Sequence, residues 1–318
     1  MLTGFTSAGS RLQGYNRFMK LATYRDGSRD GQLIVVARDL GTAHYASGVA
    51  QRLQQALDDW NFFAPQLQDI YDELNAGRAR HAFAFDAQHC LAPLPRAYQR
   101  TQVAPWGAEP YDQPPLHWET GDALHGACAA IAVLTDAPLD FAAGLAVVTG
   151  DVGAGTHAAV ASETIRLMML AAPLLRTPRG PERACAFSPV AVTPDELGDA
   201  WHEGRVHLPL QVLRNGRKFG LCDMGSDMTT PWGSLIAQWA ATRPRASGSI
   251  MVAAPVRNAD TARGFCSITD RRAMEERQSN APLTPFLSAG DSLRIEVKRR
   301  NGQSLFGAID LLFRPAEV

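Results

Sequence analysis

The sequence predicts an α+β fold, because short apolar runs, turn signals and a few helical stretches follow one another without a repeating order. The pair Asn215-Gly216 stands between two apolar runs, which is typical of a type I′ hairpin. Residues 293–298 alternate strictly between apolar and polar side chains and predict a half-buried strand. The turn pair Asp30-Gly31 precedes the apolar run 33–37, which predicts a small N-terminal β element.

Two helices are predicted in the N-terminal part, where apolar residues recur at helical spacing over 49–60 and over 67–74. Pro65 near the start and Gly77 beyond the end bound the second helix. Together with the β element, these helices indicate a compact unit over residues 19–90. Residues 1–18 are expected to be a disordered extension.

Residues 91–318 are expected to form a larger, β-rich domain. It opens with a Pro- and Gly-rich stretch, 91–125, which we interpret as a long irregular connection. Strands are predicted at 146–148 and, after the turn Asn301-Gly302, at 304–309. Helices are predicted over 165–175, after the capping box 193–196, and over 231–241.

Composition narrows the class of protein. The apolar fraction of 46% and charged fraction of 20% are typical of a soluble globular chain. A net charge of −1 gives no reason to expect a nucleic-acid or membrane partner. No run of about 18 apolar residues predicts a membrane span. Five scattered cysteines without a CxxC pair favour reduced thiols and a cytoplasmic location.

From Met19 onward the sequence resembles the fumarylacetoacetate hydrolase family. The similar segments are residues 19–33, 140–152, 186–198, 284–286 and 306–310. The resemblance implies a mixed β-sandwich roll with a small N-terminal α/β domain, and a homodimer. Members of the family cleave or rearrange 1,3-diketo or 2-oxo acids with Mg²⁺ or Mn²⁺, a His–carboxylate pair and a Lys.

The sequence departs from the family at the residues that carry this chemistry. The family reads Asp-Phe-Glu-Ala-Glu-Val where this chain has Ala142 and Gly144 in place of the two metal-binding Glu. No carboxylate occurs over 171–176, where a third ligand is expected. The family's Asp and His fall in an apparent deletion around 100–106. Hard divalent ions need oxygen ligands, so we expect neither metal nor cofactor, and classical hydrolysis is disfavoured.

The candidate acid/base residues are His117, Glu119, Asp122 and His125, which in the family would lie near the active-site mouth. The alternative for this cluster is a solvated polar loop. Glu182 aligns near the family's Lys and is either a further acid/base group or an exposed partner of neighbouring arginines. A wide, apolar substrate pocket is expected at five small residues: Ala142, Gly144, Ala172, Ala253 and Ala254. Cys128 and Cys185 are candidate nucleophiles only beside a His.

These observations favour a metal-independent enzyme that promotes condensation, cyclisation or dehydration of a free or carrier-bound β-diketo or β-ketoacyl substrate. Aromatic ring formation in secondary metabolism is an example. A second hypothesis is a non-catalytic paralogue that binds a metabolite or a partner subunit. A third is a residual C–C hydrolase of diketo acids whose metal ligands come from residues 117–125.

Overall fold

A computed structural model describes residues 18–106, 113–122, 124–134, 138–176, 184–279 and 281–316. Its strands are β1 (Lys20–Tyr24), β2 (Gln32–Val36), β3 (Thr42–Tyr45), β4 (Phe83–Ala84), β5 (Arg100–Val103), β6 (His117–Glu119), β7 (Leu124–His125), β8 (Ala130–Val133), β9 (Leu139–Phe141), β10 (Gly144–Thr149), β11 (Ile165–Arg176), β12 (Ala184–Phe187), β13 (Val190–Val192), β14 (Trp201–His202), β15 (Arg205–Val206), β16 (Pro209–Arg214), β17 (Arg217–Asp223), β18 (Ser249–Ala253), β19 (Ser292–Val297) and β20 (Ile309–Pro315). Its helices are α1 (Leu53–Asp58), α2 (Trp60–Asn75), α3 (Ala158–Glu163), α4 (Trp232–Trp239) and α5 (Ile268–Ser279). Short 3₁₀ turns cover Ala87–His89, Pro194–Ala200 and Thr261–Arg263. No described helix is long and apolar enough to cross a bilayer.

The main sheet runs in the order β4-β3-β2-β1-β13-β11-β10-β18-β5-β6. Strand β11 also pairs with β9 and β12, and β12 continues to β7. A second sheet has the order β17-β16-β19-β20-β8, and β14 pairs with β15 alone. The small N-terminal strands therefore extend the main sheet through the antiparallel pairing of β1 with β13. This sheet-rich α+β arrangement confirms the predicted fold class.

The main sheet lies between two other layers. On one side, which we call the helix face, Ala142, Ala146 and Ala254 pack with the apolar residues of α1 and α2. On the other side, which we call the sheet face, Leu145 and Ala253 pack with the second sheet and with α4. Because side chains alternate along a strand, each strand residue belongs to one face only.

The predicted helix over 165–175 is wrong, since these residues form the long strand β11. Strands β10, β11 and β18 lie in the middle of the sheet and are buried on both faces. A strand covered on both sides is apolar at every position, so it lacks the alternation that marks an exposed strand. An apolar run of this length is therefore ambiguous from its sequence alone.

Other local predictions need correction for similar reasons. The stretch 91–125 is not wholly irregular, because β5 pairs in parallel with the distant β18 and β6 pairs with β5. The strand expected at 304–309 begins only at Ile309. Helix α2 begins at Trp60, so Pro65 lies within it. The expected extension falls on residues outside the described part of the chain, apart from Phe18.

The capping box at 193–196 is not formed either. The hydroxyl of Thr193 accepts a hydrogen bond from the backbone of Met19 at 3.0 Å instead of capping the following turn. Glu196 points inward, where it accepts hydrogen bonds from Tyr71 and Arg299. The hairpin at Asn215-Gly216 is confirmed, with φ of 52° and 71° at the two turn residues.

Asp140, the first residue of the family-like segment, has a structural role in this fold. Its buried carboxylate accepts hydrogen bonds from the backbone of Phe141 at 2.7 Å, Ile268 at 2.8 Å and Thr269 at 2.9 Å, and from the Thr269 hydroxyl at 2.6 Å. Burial raises the pKa of Asp140, while these hydrogen bonds oppose the rise. The carboxylate thus caps α5 from a distant strand.

Replacing this cap should destabilise the protein. Asp140→Asn keeps the shape but turns an amide towards the Thr269 donors, so we expect a loss of about 1–3 kcal/mol in the free energy of unfolding. Urea denaturation measures this loss. Asp260→Asn is the matched control, because Asp260 caps an exposed turn through Ala262. Equal stability of the two variants would contradict the structural role.

The lowered pKa of Glu275 on α5 should make the stability of the fold depend on pH in the acid range. Burial would raise its pKa, but hydrogen bonds from Thr284, Arg271 and Leu283 outweigh burial and lower the pKa to about 2. Since the ordinary pKa is 4.5, this carboxylate stabilises the fold fully above that pH, and the contribution disappears as pH falls towards 2.

The Glu275→Gln variant should therefore lose stability at neutral pH and show a flatter acid-unfolding curve than the parent protein. Circular dichroism during acid titration measures both effects. The neighbouring Glu276 is exposed, so Glu276→Gln should leave the curve unchanged. A Glu275→Gln curve as steep as that of the parent would refute the assignment.

Candidate functional site

A cavity of about 800 Å³ opens between α1 and two loop segments at 94–98 and 121–122. It is lined by Asp30, Arg52, Leu53, Gln54, Gln55, Asp58, Asp59, Phe63, Leu94, Pro95, Arg96, Ala97, Tyr98, Gly121 and Asp122. Helix α1 forms one wall and the two loop segments form the other. A volume of this size is typical of small-molecule sites.

The two loop segments are held together by their backbones. The amide of Ala97 donates to the carbonyl of Gly121 at 2.9 Å. A Cβ atom at Gly121 would lie 2.1 Å from the carbonyl oxygen of Ala97, so only glycine allows this approach. The contact places Tyr98 and Asp122 together on one wall of the cavity.

The cavity wall carries an excess of negative charge. Arg52 pairs with Asp26 at 2.7 Å, and Arg96 pairs with Asp30 at 2.7 Å. Asp58, Asp59 and Asp122 have no cationic partner among the described residues, although Gln54 donates to Asp58 at 2.6 Å. An uncharged or cationic ligand therefore suits this cavity better than an anion.

A buried ion pair lies directly behind the wall at Gly121. Arg100 Nη2 is 3.7 Å from Glu119 Oε2, and their side chains are 0% and 5% exposed. The Nε atom of Arg100 also donates to the carbonyl of Thr120 at 2.9 Å. Sequence reasoning missed Arg100, because its partners are distant in the chain and no local motif marks it.

The ion pair lies on the helix face, because Arg100 is opposite both Ile250 and Glu119 in the sheet. The ion pair also influences the thiol of Cys185 on β12. Burial raises the pKa of this thiol to about 12, while the charge of Arg100 lowers the pKa and that of Glu119 raises it. A thiol with this pKa is not a nucleophile at neutral pH. Partial burial also raises the pKa of Cys128.

The sheet separates the predicted acid/base residues. His117 is exposed on β6, Glu119 is paired with Arg100, and Asp122 lines the cavity. His125 is opposite Ala186, which places it on the sheet face, and burial lowers its pKa. Of the candidates that the structure describes, Asp122 alone lines the cavity. Glu182 lies outside the described residues.

The five small residues expected to line one pocket also lie on different faces. Ala142, Gly144 and Ala254 are on the helix face, whereas Ala172 and Ala253 are on the sheet face. A Cβ atom at Gly144 would lie 2.1 Å from the Ala253 carbonyl oxygen, so the strands are tightly packed here. The large cavity is lined by none of the five, and their contact with a substrate stays a prediction.

Comparison with known proteins supports the resemblance. Residues 19–96 match the family model described as fumarylacetoacetase N-terminal domain 2. A comparison with curated proteins found no match. A probable 2-hydroxyhepta-2,4-diene-1,7-dioate isomerase from Mycobacterium abscessus is 16% identical, with a TM-score of 0.67 over 95% of this chain and 100% of that chain. The chain has the fumarylacetoacetate hydrolase fold, and its residues 19–96 are similar to the N-terminal domain of that family.

Two further solved structures share the fold. Maleylpyruvate hydrolase from Sphingobium sp. SYK-6, in complex with manganese(II) ion and pyruvate, is 15% identical, with a TM-score of 0.66 over 93% of this chain and 100% of that chain. Fumarylacetoacetate hydrolase from the psychrophilic Exiguobacterium antarcticum is 13% identical, with a TM-score of 0.65 over 94% and 100%. At these identities the likeness establishes the fold.

The described residues do not fit the divalent ion that the family resemblance implies. Ala142, Gly144 and Pro173, which share the helix face, have no side-chain oxygen to offer a hard cation. In the described ranges, no group of three or more His, Cys, Asp or Glu residues is arranged to hold a metal. No step of a mechanism can therefore be derived through a metal at this position.

The Arg100–Glu119 pair should respond differently to single and double replacement. Arg100→Met removes the cation that lies 3.7 Å from the buried Glu119 carboxylate and should cost about 3–5 kcal/mol in unfolding free energy. The double variant Arg100→Met/Glu119→Gln removes both charges and should recover most of this loss. Thermal and urea unfolding provide the comparison.

The exposed pair Arg78–Glu73, at 64% and 50% exposure, is the matched control for these variants. Arg78→Met should leave the stability nearly unchanged, because solvent screens the charges of this exposed pair. A double variant as unstable as Arg100→Met alone would show that the two charges are not coupled.

Proposed function

We propose that this chain is a metal-independent enzyme that binds an uncharged diketo-type molecule in the large cavity and promotes its condensation, cyclisation or dehydration. The observation that carries the proposal is the position of Asp122. This carboxylate lines the cavity without a cationic partner among the described residues, whereas the family's metal-ligand positions hold Ala142 and Gly144.

Proton transfer without a metal is chemically reasonable for such a substrate. The carbon between two carbonyl groups is acidic, so the Asp122 carboxylate can remove its proton as a general base. The resulting enolate carries negative charge on oxygen. Arg96 also lines the cavity and uses two of its N–H groups on Asp30, which leaves further donors for that oxygen.

Ring closure would follow from confinement. The enolate carbon attacks a second carbonyl of the folded substrate, a C–C bond forms, and the alkoxide takes the proton back from Asp122. Loss of water then yields the unsaturated ring. Holding the two reacting carbons together in one cavity accounts for much of such a rate increase, and Phe63 and Tyr98 provide apolar contacts.

The charge of the cavity favours a neutral substrate over the acids named for structural relatives. One relative is named for a dioate and another for maleylpyruvate. The uncompensated carboxylates of Asp58, Asp59 and Asp122 would repel such anions. A carrier-bound substrate would place only its uncharged acyl group in the cavity.

By analogy with the family, we propose that the protein is a homodimer.

A second candidate is a non-catalytic protein that binds a metabolite or a partner subunit. The observation in its favour is that, of the four predicted acid/base residues with a described position, only Asp122 lines the cavity. The third hypothesis, a hydrolase with ligands recruited from 117–125, is not favoured, since His117 and His125 lie on opposite faces of the sheet.

The test uses EDTA-treated protein and a neutral linear triketone. NMR measures deuterium exchange at the carbon between the carbonyls, and mass spectrometry detects the cyclised, dehydrated product. We expect EDTA-insensitive acceleration of both reactions. The Asp122→Asn variant should lose about 100-fold in rate, as for other general bases. Asp69→Asn, an exposed change on α2 outside the cavity, should be unaffected.

Each outcome points to one of the candidate functions. Binding of the triketone detected by calorimetry without any exchange would overturn the enzymatic proposal in favour of the binding protein. Acceleration that appears only with added Mn²⁺ would overturn metal independence. An Asp122→Asn variant with full activity would remove Asp122 from the mechanism.

A further inference from the structure

An exposed tryptophan and two arginines meet at the edge of the main sheet. Trp118 is on β6, the last strand in the order of that sheet, and it is 55% exposed. The guanidinium carbon of Arg245 lies 4.7 Å from the centroid of the Trp118 ring, and that of Arg243 lies 5.7 Å from it. Both distances are typical of cation–π contacts. The sheet edge therefore carries a large aromatic ring beside two positive charges, and much of the ring is open to solvent.

The backbone restrains the segment that carries the two arginines. The amide of Arg245 donates to the carbonyl of Val152 at 2.9 Å, and the amide of Val152 donates back to the carbonyl of Arg245 at 2.9 Å. Pro244 separates the arginines, and its ring fixes its own φ and limits the backbone of Arg243 as well. The side chain of Arg243 nevertheless stays exposed, so it can meet a ligand from solvent.

Arg245 is a buried cation whose hydrogen-bond partners are neutral. The residue is 3% exposed. Its guanidinium donates to the carbonyl of Trp239 and, at 3.1 Å, to the side-chain oxygen of Gln99. Burial and the neighbouring charge of Arg243 both lower the pKa of Arg245. Because a buried charge is usually paired with an opposite charge, an anion from outside the chain would stabilise this site.

The acidic group that shares a hollow with Arg245 does not neutralise it. Asp151 and Arg245 both line a hollow of about 380 Å³. The Asp151 carboxylate accepts a hydrogen bond from the amide of Ser247 at 2.9 Å. Among the described residues it forms no ion pair with Arg243 or Arg245. The positive charge beside the Trp118 ring is therefore left for a ligand.

We propose that Trp118, Arg243 and Arg245 form a binding site for a nucleoside phosphate. The base stacks on the Trp118 ring, because every base has a flat π-face. The phosphate pairs with Arg243, whose planar guanidinium matches the spacing of phosphate oxygens. The buried charge of Arg245 attracts the same phosphate from behind the ring.

The place of this site beside the cavity indicates the class of nucleotide. Gln99, which accepts from Arg245, follows Tyr98 of the cavity wall, and Gly121 of that wall comes soon after Trp118 on the same edge. Coenzyme A carries its acyl group on a flexible arm that begins at a nucleotide. Resting on the proposed function, the ligand is the coenzyme A thioester of a β-ketoacyl substrate. Its arm rounds the edge of β6, and its acyl group enters the cavity.

Calorimetry with ADP tests the nucleotide site on the full chain. We expect ADP to bind, and to bind more weakly as salt is added. Arg243→Gln should weaken binding about 10-fold through loss of a charged hydrogen bond. Trp118→Leu should weaken it about 10-fold through loss of stacking. Both side chains are exposed, so the two variants should keep the fold.

Matched controls replace the same residue types elsewhere on the surface. Arg217→Gln changes an exposed arginine of the hairpin, and Tyr45→Leu changes a 41% exposed aromatic residue on β3. Both should bind ADP as the parent protein does. Adenosine and inorganic phosphate, each offered alone, should bind more weakly than ADP, since each meets only part of the site. Absence of ADP binding, or equal binding by all four variants, would overturn the nucleotide site.

A second measurement connects the nucleotide site with the cavity. Deuterium exchange between the two carbonyls is compared for acetoacetyl-coenzyme A and for the acetoacetyl thioester of N-acetylcysteamine, which lacks the nucleotide. We expect an about 10-fold lower KM for the coenzyme A thioester, the factor that base stacking contributes. Arg243→Gln should remove this difference.

The outcomes separate this inference from the proposed function. Equal KM values for the two thioesters would overturn the assignment to coenzyme A. Exchange of the neutral triketone in a protein that does not bind ADP would overturn this inference and support the proposed function. ADP binding that depends on Arg243 and Trp118, without exchange of any substrate, would support the nucleotide site and overturn the proposed function.

Discussion

The burial of the main sheet on both faces is the constraint on which the rest of this structure depends. Strands β10, β11 and β18 are covered by α1 and α2 on one side and by the second sheet on the other. A strand in this position can place each side chain in only one of two layers. Each of these strand residues can therefore contribute to a site on one face of the sheet only.

Because the sheet has two buried faces, residues that are adjacent in the sequence can lie in different layers of the fold. Ala253 and Ala254 are neighbours in the chain, yet they belong to different apolar layers. The same holds for His125 and the ion pair formed by Glu119 and Arg100. On the helix face, Ala142 and Gly144 are tightly packed, and the buried ion pair of Arg100 and Glu119 lies on the same face.

The large cavity lies next to this interior and not within it. Its wall is made of α1 and of two loops that glycine allows to touch at Gly121. Two of its arginines are neutralised by aspartates, so the remaining carboxylates determine its character. The cavity therefore combines aromatic side chains with unpaired acidic groups among its described lining residues.

The sequence alone determined those features that depend on neighbouring residues. Asn215-Gly216 specifies its hairpin because both residues tolerate positive φ, and the order of turns and apolar runs was enough to predict the fold class. The absence of side-chain oxygens at Ala142 and Gly144 was also visible, since side-chain chemistry does not depend on folding. Asp122 could be named as a candidate for the same reason.

Only the tertiary structure decided which residues meet. Whether 165–175 is a helix or a strand depends on what covers it, because an apolar run buried on both sides has no distinguishing period. Arg100 gained its role from Glu119 and from β18, and Gly220 lies opposite Gly264 in a bridge between two distant segments. Such pairings join distant parts of the chain, and the energy that selects them comes from burial in the assembled layers and not from any local pattern.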